Sequence, residues 1–145
     1  MSKLIFDGTA HQITLYNSKN EETGTWTAYN NTDSLSTVKF LQNGIYNFIE
    51  KIAPFKHRSH PEEDTLDGSY GSYGIIHFYV HGHQGVGVHS GRAHHKRLPG
   101  PKHWTRGCIR TTDDAMKVIS ETMALDHLMT VEVKNNSLSV AKQHM

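Results

Sequence analysis

The sequence predicts a single, mainly β domain with one α-helix near its C-terminal end. Short segments rich in β-branched and aromatic residues recur along the chain, and turns rich in Asn, Asp and Gly separate them. One later segment combines an N-terminal cap with an apolar face at helical spacing. At 145 residues the chain is long enough for one modest core. We therefore expect one domain over residues 1–136, followed by a C-terminal tail over residues 137–145.

Three strands are predicted in the N-terminal part. Residues 4–6 (LIF) and 12–16 (QITLY) flank a DGTAH turn and form a hairpin. After the turn-rich NSKNEE, residues 23–30 predict a third strand. Because side chains alternate along a strand, Trp26 and Ala28 share one of its faces.

The middle of the chain is less regular. Residues 38–53 fit a helix or a strand, but a glycine in mid-run and the β-forming residues after it favour a strand in the second half. Residues 54–74 are polar and rich in Pro, Gly and Ser, and a loop of this length in a small domain is usually functional or disordered. Residues 75–80 (IIHFYV) then predict a strongly apolar strand.

A short, glycine-rich strand follows over residues 86–89 (VGVH). Gly85 and Gly87 give it little side-chain bulk, which indicates that another part of the backbone approaches closely there. His89 ends this strand, so its position is expected to be well fixed.

The one helix begins at the segment TTDDAM. Thr111 or Thr112 can cap it, and Asp113 and Asp114 lie in the first turn, where the helix dipole favours negative charge. The helix is expected to bury an apolar face made of Ala115, Met116, Ile119 and Met123.

The final strand is predicted in DHLMTVEVKNN. Leu128, Thr130 and Val133 are assigned to its pattern, and Val131 is out of phase with them. The remaining nine residues form the predicted tail.

Composition narrows the classes of function. The chain carries 15 Lys and Arg against 14 Asp and Glu, a net charge of +1, which argues against nucleic-acid binding that depends mainly on phosphate contacts. No apolar run approaches the length of a membrane span. The first residues, MSKLIFDGTAHQ, lack the pattern of a classical signal peptide, so we expect synthesis in the cytoplasm and any export to be non-classical. The single cysteine excludes an intramolecular disulfide and is either a buried apolar residue or a reactive thiol.

Cys108 has surroundings typical of a nucleophile. Arg106, Arg110 and the helix that follows are expected to lower the pKa of its thiol. Gly107 lets the backbone turn, so that the N–H groups of residues 107 and 108 could face an oxyanion. A cysteine nucleophile needs a base, and His89 is the best candidate.

The same residues resemble the signature of the L,D-transpeptidases of the YkuD type. That signature is a histidine in a Gly-Ile-His-Gly context and then, after a spacer, Ser or Thr, His, Gly, Cys, an apolar residue and Asn or Arg. Here Gly87-Val88-His89-Ser90-Gly91 is followed by Thr105-Arg106-Gly107-Cys108-Ile109-Arg110, and fifteen residues separate His89 from Thr105. The polar turn and helix after the cysteine, the opening hairpin and the last strand also match the family in order.

The resemblance implies a β-sandwich-like fold with one helix after the catalytic cysteine. It implies acyl transfer on peptidoglycan stem peptides without a metal or other cofactor. In that chemistry a Cys thiolate attacks the carbonyl of the third residue and expels the terminal D-Ala. The acyl group then passes to an amine, in cross-linking or D-amino-acid exchange, or to water, in L,D-carboxypeptidase trimming.

The resemblance also implies roles for individual residues. Cys108 is then the nucleophile and His89 the general base, and Ser90 orients the imidazole through its backbone carbonyl. Gly107 and Cys108 supply the oxyanion hole through their N–H groups. Thr105 and Arg110 frame the substrate site.

One residue departs from the family pattern. Arg106 stands where the family has a histidine before Gly-Cys. An arginine cannot act as a base, but it can hold a thiolate charge or a substrate carboxylate. We therefore expect Arg106 to change which substrate is used and which product forms, and to leave the Cys–His pair unaffected.

Three further features leave alternatives open. His77, His81, His83 and His89 are close in sequence, which is a weak indication of a metal site and offers a non-enzymatic metal- or polyanion-binding module as the alternative function. Tyr70, Tyr73 and Tyr79 line a groove or simply pack, and Tyr73 is the better candidate for a lid over the substrate. A basic loop is either a solvated insertion or a substrate contact; its residues are His94, His95, Lys96, Arg97, Lys102 and His103.

The resemblance places the substrate outside the cytoplasm, in the periplasm or cell wall. Delivery by a dedicated secretion machinery as an antibacterial effector is one hypothesis. In that case the producing cell carries an immunity protein.

Overall fold

The computed structural model describes residues 1–94, 99–141 and 143–144. This part of the chain forms ten strands, one α-helix and two short 3₁₀ helices at Pro61–Glu63 and Gly100–Lys102. The helix is α1 (Asp113–Leu125). The strands are β1 (Ser2–Asp7), β2 (Gln12–Tyr16), β3 (Glu22–Thr27), β4 (Thr32–Asp33), β5 (Gly44–Asn47), β6 (Ile76–His77), β7 (Gly87–His89), β8 (Ile109–Arg110), β9 (Leu128–Lys134) and β10 (Gln143–His144).

The larger sheet has five strands in the order β3-β2-β1-β9-β5. The three predicted N-terminal strands form an antiparallel meander, and β9 enters the sheet parallel to β1. Alternation places one face of this sheet in the core, where Leu4, Phe6, Ile13 and Leu15 are fully buried.

A three-stranded sheet, called the smaller sheet below, has the order β6-β7-β8 and contains the two motif-bearing segments. A separate two-stranded sheet consists of β10 and β4. The larger and smaller sheets are linked at both edges, because the chain leaving β3 pairs Tyr29 with Arg110 and the chain leaving β5 pairs Phe48 with Phe78. One continuous apolar cluster fills the space between the sheets. The predicted mainly β class is confirmed.

Helix α1 follows the last strand of the smaller sheet and closes one side of the core. The Thr112 hydroxyl accepts a hydrogen bond from the Ala115 N–H at 3.0 Å and caps the helix. All four residues of the predicted apolar face are buried in the core, namely Ala115, Met116, Ile119 and Met123.

The phase of the last strand was predicted wrongly. Val131 and Val133 are both buried, so they share the core face. The irregularity lies earlier, because Ser2 pairs with Leu128 and Lys3 with Thr130, which leaves Met129 as the extra residue of a β-bulge. A bulge shifts the alternation by one residue and made Val131 appear out of phase.

The long polar segment 54–74 is folded against the domain. Arg92 and Ala93 donate backbone hydrogen bonds to the Gly68 carbonyl at 2.9 and 3.0 Å, and the Ser90 N–H donates to the Tyr70 carbonyl at 3.3 Å. The loop therefore covers the end of β7, where His89 lies.

The chain beyond residue 136, expected to be a tail, also contacts the domain. Ala141 is buried, its carbonyl accepts a hydrogen bond from the Thr32 N–H at 3.0 Å, and β10 pairs with β4. Among the described residues, no helix has the length and apolar character needed to cross a membrane.

Candidate active site

The two motif-bearing segments lie side by side in the smaller sheet. Strands β7 and β8 are parallel, with Val88 opposite Ile109 and His89 opposite Arg110. Because side chains alternate, Cys108 lies on the same face as His89, one diagonal step away. Both side chains line a pocket of about 240 Å³.

Gly87 explains why a glycine-rich strand is needed here. A Cβ atom at this position would lie 2.4 Å from the Ile76 carbonyl oxygen, so the close approach predicted for this strand comes from its neighbour β6. The bare Gly87 N–H donates to Cys108 Sγ at 3.4 Å. The glycine thus allows tight strand pairing and places a donor beside the sulfur.

Cys108 rests as a thiol in this structure. It is 7% exposed, and its S–H donates to the Gly85 carbonyl at 3.5 Å. Burial raises the pKa of the thiol to about 11, although the Gly87 N–H and the Arg110 guanidinium lower it. The predicted lowering of this pKa is therefore wrong, because the loss of hydration outweighs the two favourable groups.

His89 is buried and held in one tautomer. Its Nδ1 lies 2.8 Å from the Ser90 carbonyl oxygen, which can only accept, so Nδ1 carries the proton and Nε2 has a free lone pair. This is the contact that the resemblance implied for Ser90. Burial lowers the pKa of His89 to about 3, and the nearby Arg110 cation acts in the same direction. The imidazole is neutral, as a general base must be.

Arg110 is a buried cation at the floor of the pocket. Its guanidinium donates to the Ser69 carbonyl at 2.9 Å and the Trp104 carbonyl at 3.3 Å, and within the described residues its Nε has no hydrogen-bond partner. Burial lowers its pKa to about 10, which still leaves it charged at neutral pH. A positive charge beside Cys108 stabilises any negative charge that develops on the sulfur or on a carbonyl oxygen.

The turn that presents Cys108 is closed by Thr105. Its hydroxyl donates to the Cys108 carbonyl at 2.8 Å and accepts from the Gly107 N–H at 3.2 Å. Buried Asn30 donates to the Gly107 carbonyl at 2.9 Å. The Gly107 N–H is therefore engaged inside the turn, and the structure does not support the oxyanion role predicted for it.

Gly107 is required for its conformation instead. Its φ of 124° lies in a region that favours glycine, and a Cβ atom there would lie 2.8 Å from Val38 Cβ. The turn before Cys108 can adopt this conformation only with glycine at position 107.

Arg106 lies at the rim of the same pocket. Its side chain is exposed, whereas its carbonyl accepts a hydrogen bond from the Ser36 hydroxyl at 2.8 Å. The residue that departs from the family pattern thus lies at the exposed opening of the pocket.

Tyr70 and Trp104 are aromatic residues that line the pocket, whereas Tyr73 does not line it. The Tyr70 ring meets His89 edge-on at 5.1 Å and stacks on His57 at 4.1 Å. Tyr73 packs against the core outside this pocket, so its predicted role as a lid is not supported. Both tyrosines lie in a Gly-Ser-rich segment, and no sequence signal distinguishes them.

Asp113 is a positioning residue that the sequence did not reveal. Its carboxylate accepts from the Ser90 hydroxyl at 2.6 Å and from both the N–H and the hydroxyl of Ser72 at 3.1 and 2.5 Å. It ties the helix, the loop and the residue after His89 together. From its place in the first helical turn, the sequence predicted only a favourable interaction of its negative charge with the helix dipole.

The histidines proposed as metal ligands are not brought together. His77 pairs with Glu50 at 2.8 Å, His83 contacts the Thr37 hydroxyl, and His81 is exposed. In the described residues, no three His, Cys, Asp or Glu side chains are placed to hold a metal ion.

The described residues of the predicted basic loop contact different parts of the domain and do not form one basic surface. His94 pairs with Glu63, His103 is buried, and Lys102 lies over the Tyr29 ring. His95, Lys96 and Arg97 lie outside the described residues.

Comparison with known proteins identifies the fold. No family model matches this chain, and no curated protein matches its sequence. Among solved structures, the L,D-transpeptidase (Yku) from Stackebrandtia nassauensis matches 93% of this chain and 56% of its own length, with 15% identity and a TM-score of 0.58. L,D-transpeptidase 1 from Mycobacterium tuberculosis matches 91% and 60%, with 19% identity and a TM-score of 0.55.

A third match is the helical cell shape determining protein Pgp2 from Campylobacter jejuni, at 13% identity and a TM-score of 0.64, over 94% of this chain and 48% of that one. The chain thus spans about half the length of these proteins. At such low identity the likeness shows the fold, and the YkuD-like fold that the resemblance implied is confirmed.

Proposed function

We propose that this protein is a cysteine acyltransferase that acts on peptidoglycan stem peptides, by L,D-transpeptidation, D-amino-acid exchange or L,D-carboxypeptidase trimming. The observation that carries the proposal is the pairing of Cys108 with a buried, neutral His89 on adjacent strands of one pocket. The L,D-transpeptidase fold supports this reaction class.

The first half-reaction forms a thioester. Cys108 Sγ attacks the carbonyl carbon of the third stem residue while His89 Nε2 takes the thiol proton. The Cys108 N–H and the Arg110 charge are the available groups for the developing oxyanion. The C–N bond then breaks, and the imidazolium returns its proton to the departing amine of the terminal D-amino acid.

The second half-reaction releases the acyl group. An amine or a water molecule attacks the thioester, and His89 Nε2 accepts its proton. The C–S bond breaks, and the thiolate recovers the proton from the imidazolium. The attacking molecule decides whether the product is a cross-link, an exchanged peptide or a trimmed tripeptide.

Incubation with purified tetrapeptide muropeptides, followed by mass analysis, tests the proposal. We expect release of terminal D-Ala by the wild-type chain and its loss in Cys108→Ala and His89→Ala. His81→Ala, which removes an exposed histidine outside the pocket, is the matched control and should retain activity. Wild-type turnover in either pocket variant, with its folding verified by circular dichroism, would exclude the Cys–His assignment.

Export forms a separate part of the proposal, since peptidoglycan lies outside the cytoplasmic membrane. We propose action in the periplasm or cell wall after delivery by secretion machinery, as an antibacterial effector that an immunity protein neutralises in the producer. Affinity capture from producer lysate should yield a protein that blocks D-Ala release. Capture without any inhibitory protein would count against the effector role and leave the enzymatic proposal intact.

A further inference from the structure

The charged side chains among the described lining residues of the candidate pocket are positive. Arg106 at its rim and Arg110 at its floor both line it, and none of its described lining residues is Asp or Glu. Two acidic side chains act electrostatically on Tyr70, but both are engaged elsewhere: Glu63 with His94 and Ser69, and Asp64 with His57. The pocket therefore offers positive charge to whatever enters it.

The two arginines differ in how they are held. Arg110 is buried and donates to two backbone carbonyls, so its position is set by the fold. Arg106 is exposed, and in the described part of the chain it forms no ion pair, which leaves its guanidinium available to a ligand. A guanidinium can bind a carboxylate through two parallel hydrogen bonds, whereas an imidazole at this position cannot.

We infer that Arg106 determines substrate specificity by binding a free carboxylate of the acyl donor. The inference rests on the proposed function. The two such groups nearest the reacting carbonyl are the C-terminus of the leaving residue and the side-chain carboxylate of a third residue that is a diamino acid with a second carboxylate. The chain should therefore favour free-carboxylate donors over amidated ones.

Binding to a Cys108→Ala chain, measured by calorimetry, tests the inference without turnover. Three tetrapeptides serve as probes: one unmodified, one amidated at its C-terminus and one amidated on the third-residue side chain. Adding Arg106→Gln should weaken binding of the unmodified peptide by about tenfold or more, the effect of losing a hydrogen-bonded ion pair. It should leave unchanged the affinity for the amidated peptide that lacks the carboxylate bound by Arg106. The peptide whose affinity does not change therefore identifies which carboxylate Arg106 binds.

Arg58→Gln is the matched control, because Arg58 is also an exposed arginine and does not line the pocket. It should leave all three affinities unchanged. Equal weakening of all three peptides by Arg106→Gln, an equal effect of Arg58→Gln, or no binding of any peptide would overturn the inference. The proposed function fails separately, if the wild-type chain releases D-Ala from none of the peptides.

Discussion

At the scale of single residues, the resting Cys108–His89 pair is neutral. Burial disfavours the charged form of both groups, so it raises the pKa of the thiol to about 11 and lowers that of the imidazole to about 3. Both side chains are thus uncharged at neutral pH. In the proposed mechanism, proton transfer from the thiol to the imidazole therefore accompanies attack on the substrate.

Alkylation of Cys108 should reflect this state. The chain has one cysteine, so the rate with iodoacetamide reports this site alone. We expect the rate constant to rise about tenfold per pH unit from pH 7 towards pH 10, because the thiolate fraction rises in that proportion below the pKa. A rate that is already fast and independent of pH near neutrality would show a thiolate–imidazolium pair instead.

His89 should make folding sensitive to acid. Its pKa is 6.5 when unperturbed and about 3 in the folded chain, so between these values the unfolded chain binds more protons and stability falls as the pH decreases. The slope approaches about 1.4 kcal/mol per pH unit for this one group.

The comparison is with His89→Gln, which removes this one imidazole and leaves the rest of the chain unchanged. Urea denaturation between pH 7 and pH 4 should show a steeper loss of unfolding free energy in the wild-type chain. Parallel curves would mean that His89 is accessible to protons in the native state.

At the scale of elements, the site depends on a contact between the helix and the long loop. Asp113 in the first turn of α1 accepts hydrogen bonds from Ser72 of the loop and from Ser90, the neighbour of His89. The loop in turn places Tyr70 against His89. A polar segment that resembles a disordered linker in sequence is therefore part of the pocket wall.

Asp113→Ala should release this loop. It removes the acceptor of three hydrogen bonds, and we expect a loss of about 2 kcal/mol or more in unfolding free energy and faster amide exchange at Ser72. Asp114→Ala is the control, because Asp114 shares the first turn and its favourable dipole interaction but is exposed. Similar effects of the two substitutions would reduce the role of Asp113 to the dipole alone.

The strands could be predicted where alternation is regular, and the long helix where its cap is explicit. Val131 was misplaced because a bulge at Met129 breaks the alternation, and a bulge depends on pairing with β1. The hydrogen bond from the Gly107 N–H to the Thr105 hydroxyl could not be predicted, because it depends on the conformation of the turn. Local pattern does not contain either piece of information.

At the scale of the whole molecule, the C-terminal segment closes an edge that lies close to the site. The backbone of Thr32 pairs with β10 and also bridges to Thr105, whose hydroxyl donates to the carbonyl of Cys108. Residues beyond 136 therefore contribute to the domain that contains the pocket.

Truncation after residue 136 should lower the unfolding free energy by about 1–2 kcal/mol, from the lost backbone hydrogen bond at Thr32 and the lost burial of Ala141. Urea denaturation measures this. Leu138→Ser, which changes an exposed side chain in the same segment, should alter stability by less than about 0.5 kcal/mol. A truncated chain as stable as the full chain would show the segment to be an independent tail.

The sequence by itself determined the mainly β class, the capped helix and the pairing of His89 with Cys108, because these depend on alternation, helical spacing and a motif read along one chain. Tertiary structure alone decided the shifted pKa values of that pair, the presence of Tyr70 rather than Tyr73 in the pocket wall and the hydrogen bonds of Asp113 to Ser72 and Ser90. Each of these depends on burial or on contacts between segments that are distant in sequence. Hydration and long-range hydrogen bonds are properties of the folded chain, so no local pattern specifies them.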